Sequence, residues 1–191
     1  MNTAPNSERV RISIFGRRNA GKSSLLNAIL GQDVATVSPV PGTTTDAVFK
    51  AMELLPLGPV LLVDTPGLDD DQAEIGALRI KRTQEELRRV DIAIVVTSAN
   101  VGLGEHEAKL IADLRAKGIA FVVAINKLDE EPLTEERATE LERAFAAPVY
   151  PVSANIRFIS VTLLVSKLLT SNVKVGLLYP VLKNIHPILI T

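Results

Sequence analysis

The sequence has no cysteine and no tryptophan, and only two histidines and two tyrosines among its 191 residues. Without cysteine, this chain cannot carry a disulfide framework, a cysteine zinc site, a thiol nucleophile or a cysteine-ligated iron–sulfur cluster. His106 and His186 stand apart with no partner pattern, so both are expected to be structural or exposed. Charge of one sign is also lacking. Lys+Arg number 21 against 22 Asp+Glu, a formal net charge of -1, so no broad basic field exists to hold a nucleic-acid backbone. Residues 1–9 show no basic start followed by an apolar run, which argues against a signal peptide and makes a cytoplasmic location the expectation. Residues 156–191 are apolar, with four basic residues and no acidic one, but Lys167, Lys174 and Lys183 interrupt them. The uninterrupted stretches fall well short of the ~20 residues that span a bilayer.

What remains is ordinary globular material. Hydrophobic residues make up 47% and charged residues 23%, and the length favours one domain. Val10 to Phe15 reads as a buried strand running into Gly16, with a helix over Lys22 to Leu30. Ala47 to Leu54 and Pro59 to Asp64 read as two extended runs joined by a Pro/Gly turn at 55–58, able to pair as neighbours. Helix then strand follows three times: Leu78–Arg89 and Asp91–Thr97, Glu105–Lys117 and Ile119–Ile125, Thr134–Ala146 and Val149–Val152. The mixed charges of Arg79 to Arg89 suit i,i+4 pairing along a solvated helix. Such alternation predicts an α/β fold with a mainly parallel sheet and helices on both faces, with ligands outside the carboxyl ends of the strands. Ile159, Leu163, Leu164 and Leu168 keep helical spacing, while 173–191 has no clear period. The expected organisation is a flexible 1–9, a domain over 10–170 and an unassigned apolar tail over 171–191.

Chemistry is expected in the loops after those strands. Residues 16–23, GRRNAGKS, match the phosphate-loop pattern G-x-x-x-x-G-K-[ST] between a predicted strand and a predicted helix. Glycines let successive N–H groups face an anion, and the following helix adds the positive end of its dipole. Lys22 would reach the β- and γ-phosphates, and Ser23 would offer a hydroxyl to Mg²⁺. Asp64-Thr65-Pro66-Gly67 closes another predicted strand, where the carboxylate can hold Mg²⁺ through water and Gly67 can offer its N–H to a γ-phosphate. In Asn126-Lys127-Leu128-Asp129, the aspartate can accept two hydrogen bonds from guanine, a donor pair that adenine lacks. Ser153-Ala154-Asn155 would add a backbone N–H to the guanine carbonyl oxygen.

Taken together, the phosphate loop, Thr43-Thr44-Thr45, DTPG, NKLD and SAN resemble the P-loop GTPase superfamily over roughly residues 9–155. The resemblance implies a three-layer G domain binding GTP/GDP and Mg²⁺. It implies nucleotide contacts from Gly16, Asn19, Ala20, Gly21, Lys22, Ser23, Ser24, Thr43, Asp64, Gly67, Asn126, Lys127 and Asp129 as well as the SAN residues. It makes Thr44 the switch threonine on Mg²⁺. Asn19 and Gly42-Thr43-Thr44 resemble the branch holding tRNA-modification, ribosome-assembly and hydrogenase-maturation GTPases. That likeness implies K⁺ near the phosphates with Asn19 as its ligand; the alternative is an asparagine that caps the loop's own backbone. Gly42–Asp46, Lys50–Leu54 with Pro56–Pro59, and Gly67–Asp70 are most similar to the [FeFe]-hydrogenase maturation GTPases of the HydF family. That family's cluster-binding domain contains Cys and His, and this chain has no cysteine, so the likeness covers the nucleotide module alone.

Hydrolysis on such a scaffold is positioning and charge stabilisation, with Lys22 and Thr44 in the machinery. The water-orienting group is not evident. Leu68 stands where Ras-like switches carry glutamine, and Gly76 where the tRNA-modification relatives carry glutamate. Glu74 is the nearest acid and the candidate, against the alternative of a solvated acidic run with Asp69, Asp70 and Asp71. The expected function is a slow GTP switch in hydrogenase maturation, with a maturation partner protein and a G-domain homodimer as expected contacts. Two other readings stay open: an RNA- or ribosome-associated GTPase, and a GTP-binding interaction module with negligible turnover.

Overall fold

The structure, a computed structural model, describes residues 9–30, 38–39, 48–54, 58–65, 67, 81–130 and 132–152. Their order is β1 (Val10–Gly16), α1 (Lys22–Leu30), β2 (Ser38–Pro39), β3 (Val48–Leu54), β4 (Gly58–Asp64), then α2, helical over 81–86. There follow β5 (Ile92–Ser98), α3 (Glu105–Ala116), β6 (Ala120–Asn126), α4 (Glu135–Phe145) and β7 (Val149–Pro151). The flanking segments 1–8 and 153–191, and with them the expected last helix and tail, lie outside the described residues.

The strands form one sheet in the order β2-β3-β4-β1-β5-β6-β7. β1 pairs in parallel with β4 on one side and β5 on the other, and β6 and β7 continue the parallel series. β3 runs antiparallel to β4, from Val48 opposite Asp64 to Leu54 opposite Gly58, so the two extended runs do pair as neighbours. Gly58 turns at φ 80, a left-handed conformation that glycine adopts without a Cβ penalty. β1 is the strand from which the order departs in both directions, and its carboxyl end is where a ligand crevice belongs.

Alternation sends the strand side chains to two cores. Ile12, Ile14, Leu62, Ile92 and Ile94 pack with Leu25, Leu26 and Ile29 of α1 on one face. Phe15, Val95, Val123 and Ile125 pack with Leu110, Ile111 and Leu114 of α3 and Leu141 and Phe145 of α4 on the other. Burying each large aliphatic side chain contributes about 1.5–3 kcal/mol, and Ile12, Ile14, Ile92 and Ile94 are each 0% exposed. A strand covered on both faces has no polar alternation to display, which is why β5 reads as a continuous apolar run. α4 begins where Thr134 Oγ1 accepts the Arg137 N–H at 3.2 Å and ends at Ala146 in the left-handed region, φ 43.

Several boundaries depart from expectation. β5 starts at Ile92, one residue later than expected; Asp91 still bonds to β1, its N–H donating to the Arg11 carbonyl at 3.0 Å and its carboxylate accepting the Arg11 N–H at 2.7 Å. β2 was not expected, since two residues carry no periodicity. Residues 87–89 form a turn, so the described helix ends three residues earlier than predicted. The expected i,i+4 pairing of that segment is corrected at Glu86, which is buried and bonds across the fold instead: Arg11 Nε and Nη2 donate to it at 2.7 and 2.6 Å, and Ser13 Oγ donates as well. The side chain faces β1 because its helix packs onto the sheet there, where a solvated partner is out of reach.

Candidate nucleotide site

The loop from Gly16 to Ser23 leaves β1 and enters α1. Two glycines let it curl. Gly16 has φ 151 and Gly21 has φ 91, and a Cβ on either would collide, with the Val96 carbonyl oxygen and the Asn126 amide nitrogen respectively. Asn19 sits at φ 60, in the left-handed region that asparagine tolerates better than most residues. The Ala20 N–H donates to the Arg17 carbonyl at 3.3 Å, and the Leu25 N–H donates to the Gly21 carbonyl at 2.8 Å as the helix begins. Lys22, only 8% exposed, donates from Nζ to the carbonyls of Gly16 at 3.0 Å and Arg17 at 2.7 Å. The ammonium is therefore folded over the loop that bears it.

β4 delivers the second segment beside this loop. Ser23 Oγ donates to Asp64 Oδ2 at 2.5 Å, which brings the two expected Mg²⁺ residues together. The other oxygen, Asp64 Oδ1, is buried and has no hydrogen-bond partner among the described residues. A buried carboxylate oxygen left unsatisfied is costly, and together with the hydroxyl it is an all-oxygen set suited to a hard cation. These residues fit Mg²⁺. Thr65 is pinned to β1, its N–H and Oγ1 both donating to the Ile14 carbonyl at 3.2 and 2.7 Å. Gly67 lies against the phosphate loop: a Cβ there would stand 2.8 Å from the Arg18 nitrogen.

β6 ends in the third segment. Asn126 is 3% exposed and donates from Nδ2 to the Ala20 carbonyl at 3.0 Å, a bond across 106 residues that ties the two loops together. Lys127 takes φ 64, turning the chain, and its Nζ meets Glu130 at 3.0 Å. Asp129 is exposed at the rim. Asn19, Gly21, Lys22, Ser23, Ser24, Asn126, Lys127, Asp129 and Glu130 line one polar cleft of about 400 Å³, within the roughly 300–1,000 Å³ typical of ligand sites. Ala20 lines an adjoining cleft of about 290 Å³ with Arg17, Arg18 and Asn100.

Of the expected site residues, Thr43, Thr44, Glu74, Ser153, Ala154 and Asn155 lie outside the described residues. Sequence reasoning missed Glu130, which lines both clefts; its i,i+3 spacing from Lys127 was the available signal. The loop motif leaves Arg17 without an assigned role. Arg17 donates from Nε and Nη2 to Glu107, whose side chain is 0% exposed.

A phosphate loop between β1 and α1, a DTPG turn against it and an NKLD turn tied to it define a P-loop nucleoside-triphosphate domain of the G-domain type. The family model described as "50S ribosome-binding GTPase" matches residues 11–127, and the chain belongs to that family. GTP hydrolysis is the reaction of the class, with GTP/GDP and Mg²⁺ the ligands the family implies. The tRNA modification GTPase MnmE of Symbiobacterium thermophilum is 39% identical over 147 residues, covering 77% of this chain and 32% of that protein. GTPase Era of Halothermothrix orenii is 30% identical over 146 residues, covering 75% of this chain and 49% of that protein. The chain thus spans half or less of the length of these relatives. Among solved structures, Era of Aquifex aeolicus bound to GDP.AlF4- is similar in fold, with a TM-score of 0.66 at 23% identity, covering 84% of this chain and 56% of that one. No helix among the described residues is long and apolar enough to cross a membrane.

Proposed function

We propose that this chain is a slow, cation-assisted GTP switch whose nucleotide lies in the cleft between the phosphate loop and the NKLD turn. The observation that carries the reading is the joining of three loops at one cleft: Lys22 over the phosphate loop, Ser23 on Asp64, and Asn126 on Ala20. Backbone N–H groups of residues 16–23 and the start of α1 receive the phosphates, and Lys22 exchanges its loop carbonyls for phosphate oxygens. Ser23 and Asp64 hold Mg²⁺, with Thr44 as the switch ligand; the ion supplies charge neutralisation on the phosphates. Asp129 reads guanine at the rim, with Ser153-Ala154-Asn155 completing the base pocket. Asn126 braces the phosphate loop.

Asn19 is the K⁺ ligand in this reading, an amide oxygen donor lining the cleft beside Lys22 and Ser23. Glu74 is the candidate for orienting water. The biological assignment is H-cluster maturation of [FeFe]-hydrogenase in the cytoplasm, supported by the likeness of residues 42–46, 50–54 with 56–59, and 67–70 to that family's switch regions and connecting strands. A maturation partner and a G-domain homodimer follow from the same likeness. The RNA- or ribosome-associated alternative draws on the matches to Era and MnmE.

The test is GTP hydrolysis by the purified chain in KCl and NaCl at equal ionic strength, with Asn19→Ala alongside. K⁺ stimulation lost in the variant is the expected result. GTP binding with negligible turnover in both salts would replace the enzyme by an interaction module that reports bound nucleotide through its switches.

A further inference from the structure

Lys22 is held by a carbonyl whose own residue is clamped from outside the loop. The Arg17 carbonyl accepts Lys22 Nζ at 2.7 Å and the Ala20 N–H at 3.3 Å. The Arg17 guanidinium is gripped by Glu107 on α3, Nε at 2.9 Å from Oε1 and Nη2 at 3.0 Å from Oε2. Glu107 Oε2 also accepts the Gly104 N–H at 3.2 Å, so the carboxylate fixes the start of α3 as well. The Arg17 guanidinium passes where a Cβ on Gly104 would stand. Glu107 is 0% exposed, while Arg17 is 30% exposed. A planar two-point pair of this kind restricts orientation as well as distance.

We infer that Glu107 is a positioning residue for the phosphate loop: by fixing Arg17 it helps fix one of the two carbonyls that hold the Lys22 ammonium, the other being that of Gly16. This rests on the nucleotide reading above for its consequence, though not for its geometry. Glu107 lines the adjoining cleft of about 290 Å³ and not the one of about 400 Å³ that holds Lys22 and Ser23, and its bonded connection to Lys22 runs through Arg17. Misplacing a phosphate ligand by a fraction of an ångström is felt mainly where its charge matters most. A purely structural ion pair would alter stability and leave the lysine as it was.

The experiment has two arms, on the parent chain and on Glu107→Gln, Arg17→Ala and Arg17→Lys. The first follows acylation of Lys22 by mass spectrometry without nucleotide. The second measures GDP affinity with Mg²⁺, below the melting temperature of each variant. Glu107→Gln keeps the side chain's size and an acceptor for Gly104, so it preserves α3. The expected result is faster Lys22 acylation and roughly tenfold weaker GDP binding in Glu107→Gln and Arg17→Ala. Arg17→Lys, keeping charge with a single donor centre, falls between them and the parent. The double variant Arg17→Ala/Glu107→Gln loses no more than the worse single one, since both cut the same link. Unchanged Lys22 acylation in folded Glu107→Gln overturns the inference. A parent chain that fails to bind GDP removes the nucleotide reading instead, while the acylation arm still decides the positioning role.

Discussion

Replacing Asn126 by alanine separates two roles that one motif position can hold. The side chain is 3% exposed and its amide donates to the Ala20 carbonyl at 3.0 Å. Loss of one such bond costs about 0.5–1.5 kcal/mol net, and leaving a buried carbonyl without a donor brings the total to about 2 kcal/mol. For a chain of this size, 1 kcal/mol moves the melting temperature by about 2–4 °C, so a drop of roughly 4–8 °C is expected without nucleotide. Thermal unfolding followed by circular dichroism measures the drop directly, and urea unfolding gives the free energy. Gly21 supplies an internal control. A Cβ there would strike Asn126 Nδ2, so part of the Gly21→Ala penalty vanishes when Asn126 is already alanine, leaving the backbone strain at φ 91. The double variant should therefore lose at least about 0.5 kcal/mol less than the sum of the singles. Unchanged stability in Asn126→Ala, with strictly additive singles, would refute the bracing role and leave Asn126 as a nucleotide contact alone.

Two further substitutions probe other links. Asp64→Asn removes the charge from the carboxylate that Ser23 contacts and should raise the Mg²⁺ concentration for half-maximal hydrolysis by about 10- to 100-fold; a shift below twofold in a magnesium titration contradicts the assignment. Glu86→Gln breaks the pair with Arg11, whose side chain is 15% exposed against 8% for Glu86. Separating a mostly buried pair of this kind should cost about 3 kcal/mol in urea unfolding, and a loss under about 1 kcal/mol would mean that water reaches Arg11 freely.

The parts of the site legible in the sequence are those where one local chain must bend for a chemical reason. Gly16 and Gly21 announce the phosphate loop because no other residue fits their backbone without collision. β5 is legible as a strand because both its faces are buried. What was not legible are bonds between distant segments. Arg17 and Glu107 lie 90 residues apart, and Arg11 and Glu86 lie 75 apart. The only local trace of the first pair is an acid at the third position of α3, where it can reach back to the Gly104 N–H. Asn126 was legible as part of a nucleotide motif, but its partner, the Ala20 carbonyl, was not, because a motif names residue types and leaves side-chain direction to the packing of β6 against the loop. β2, two residues on the sheet edge with Pro39 at its end, offers no period to detect.

The measurement closest to the central claim compares GDP and ADP binding by titration calorimetry in Mg²⁺, for the parent chain and for Asp129→Ala. The parent is expected to prefer GDP, and the variant to lose about 1–3 kcal/mol of that preference, roughly 5- to 150-fold. Equal affinity of the parent for GDP and ADP, or an Asp129→Ala variant with its preference intact, would contradict a guanine nucleotide read at this cleft.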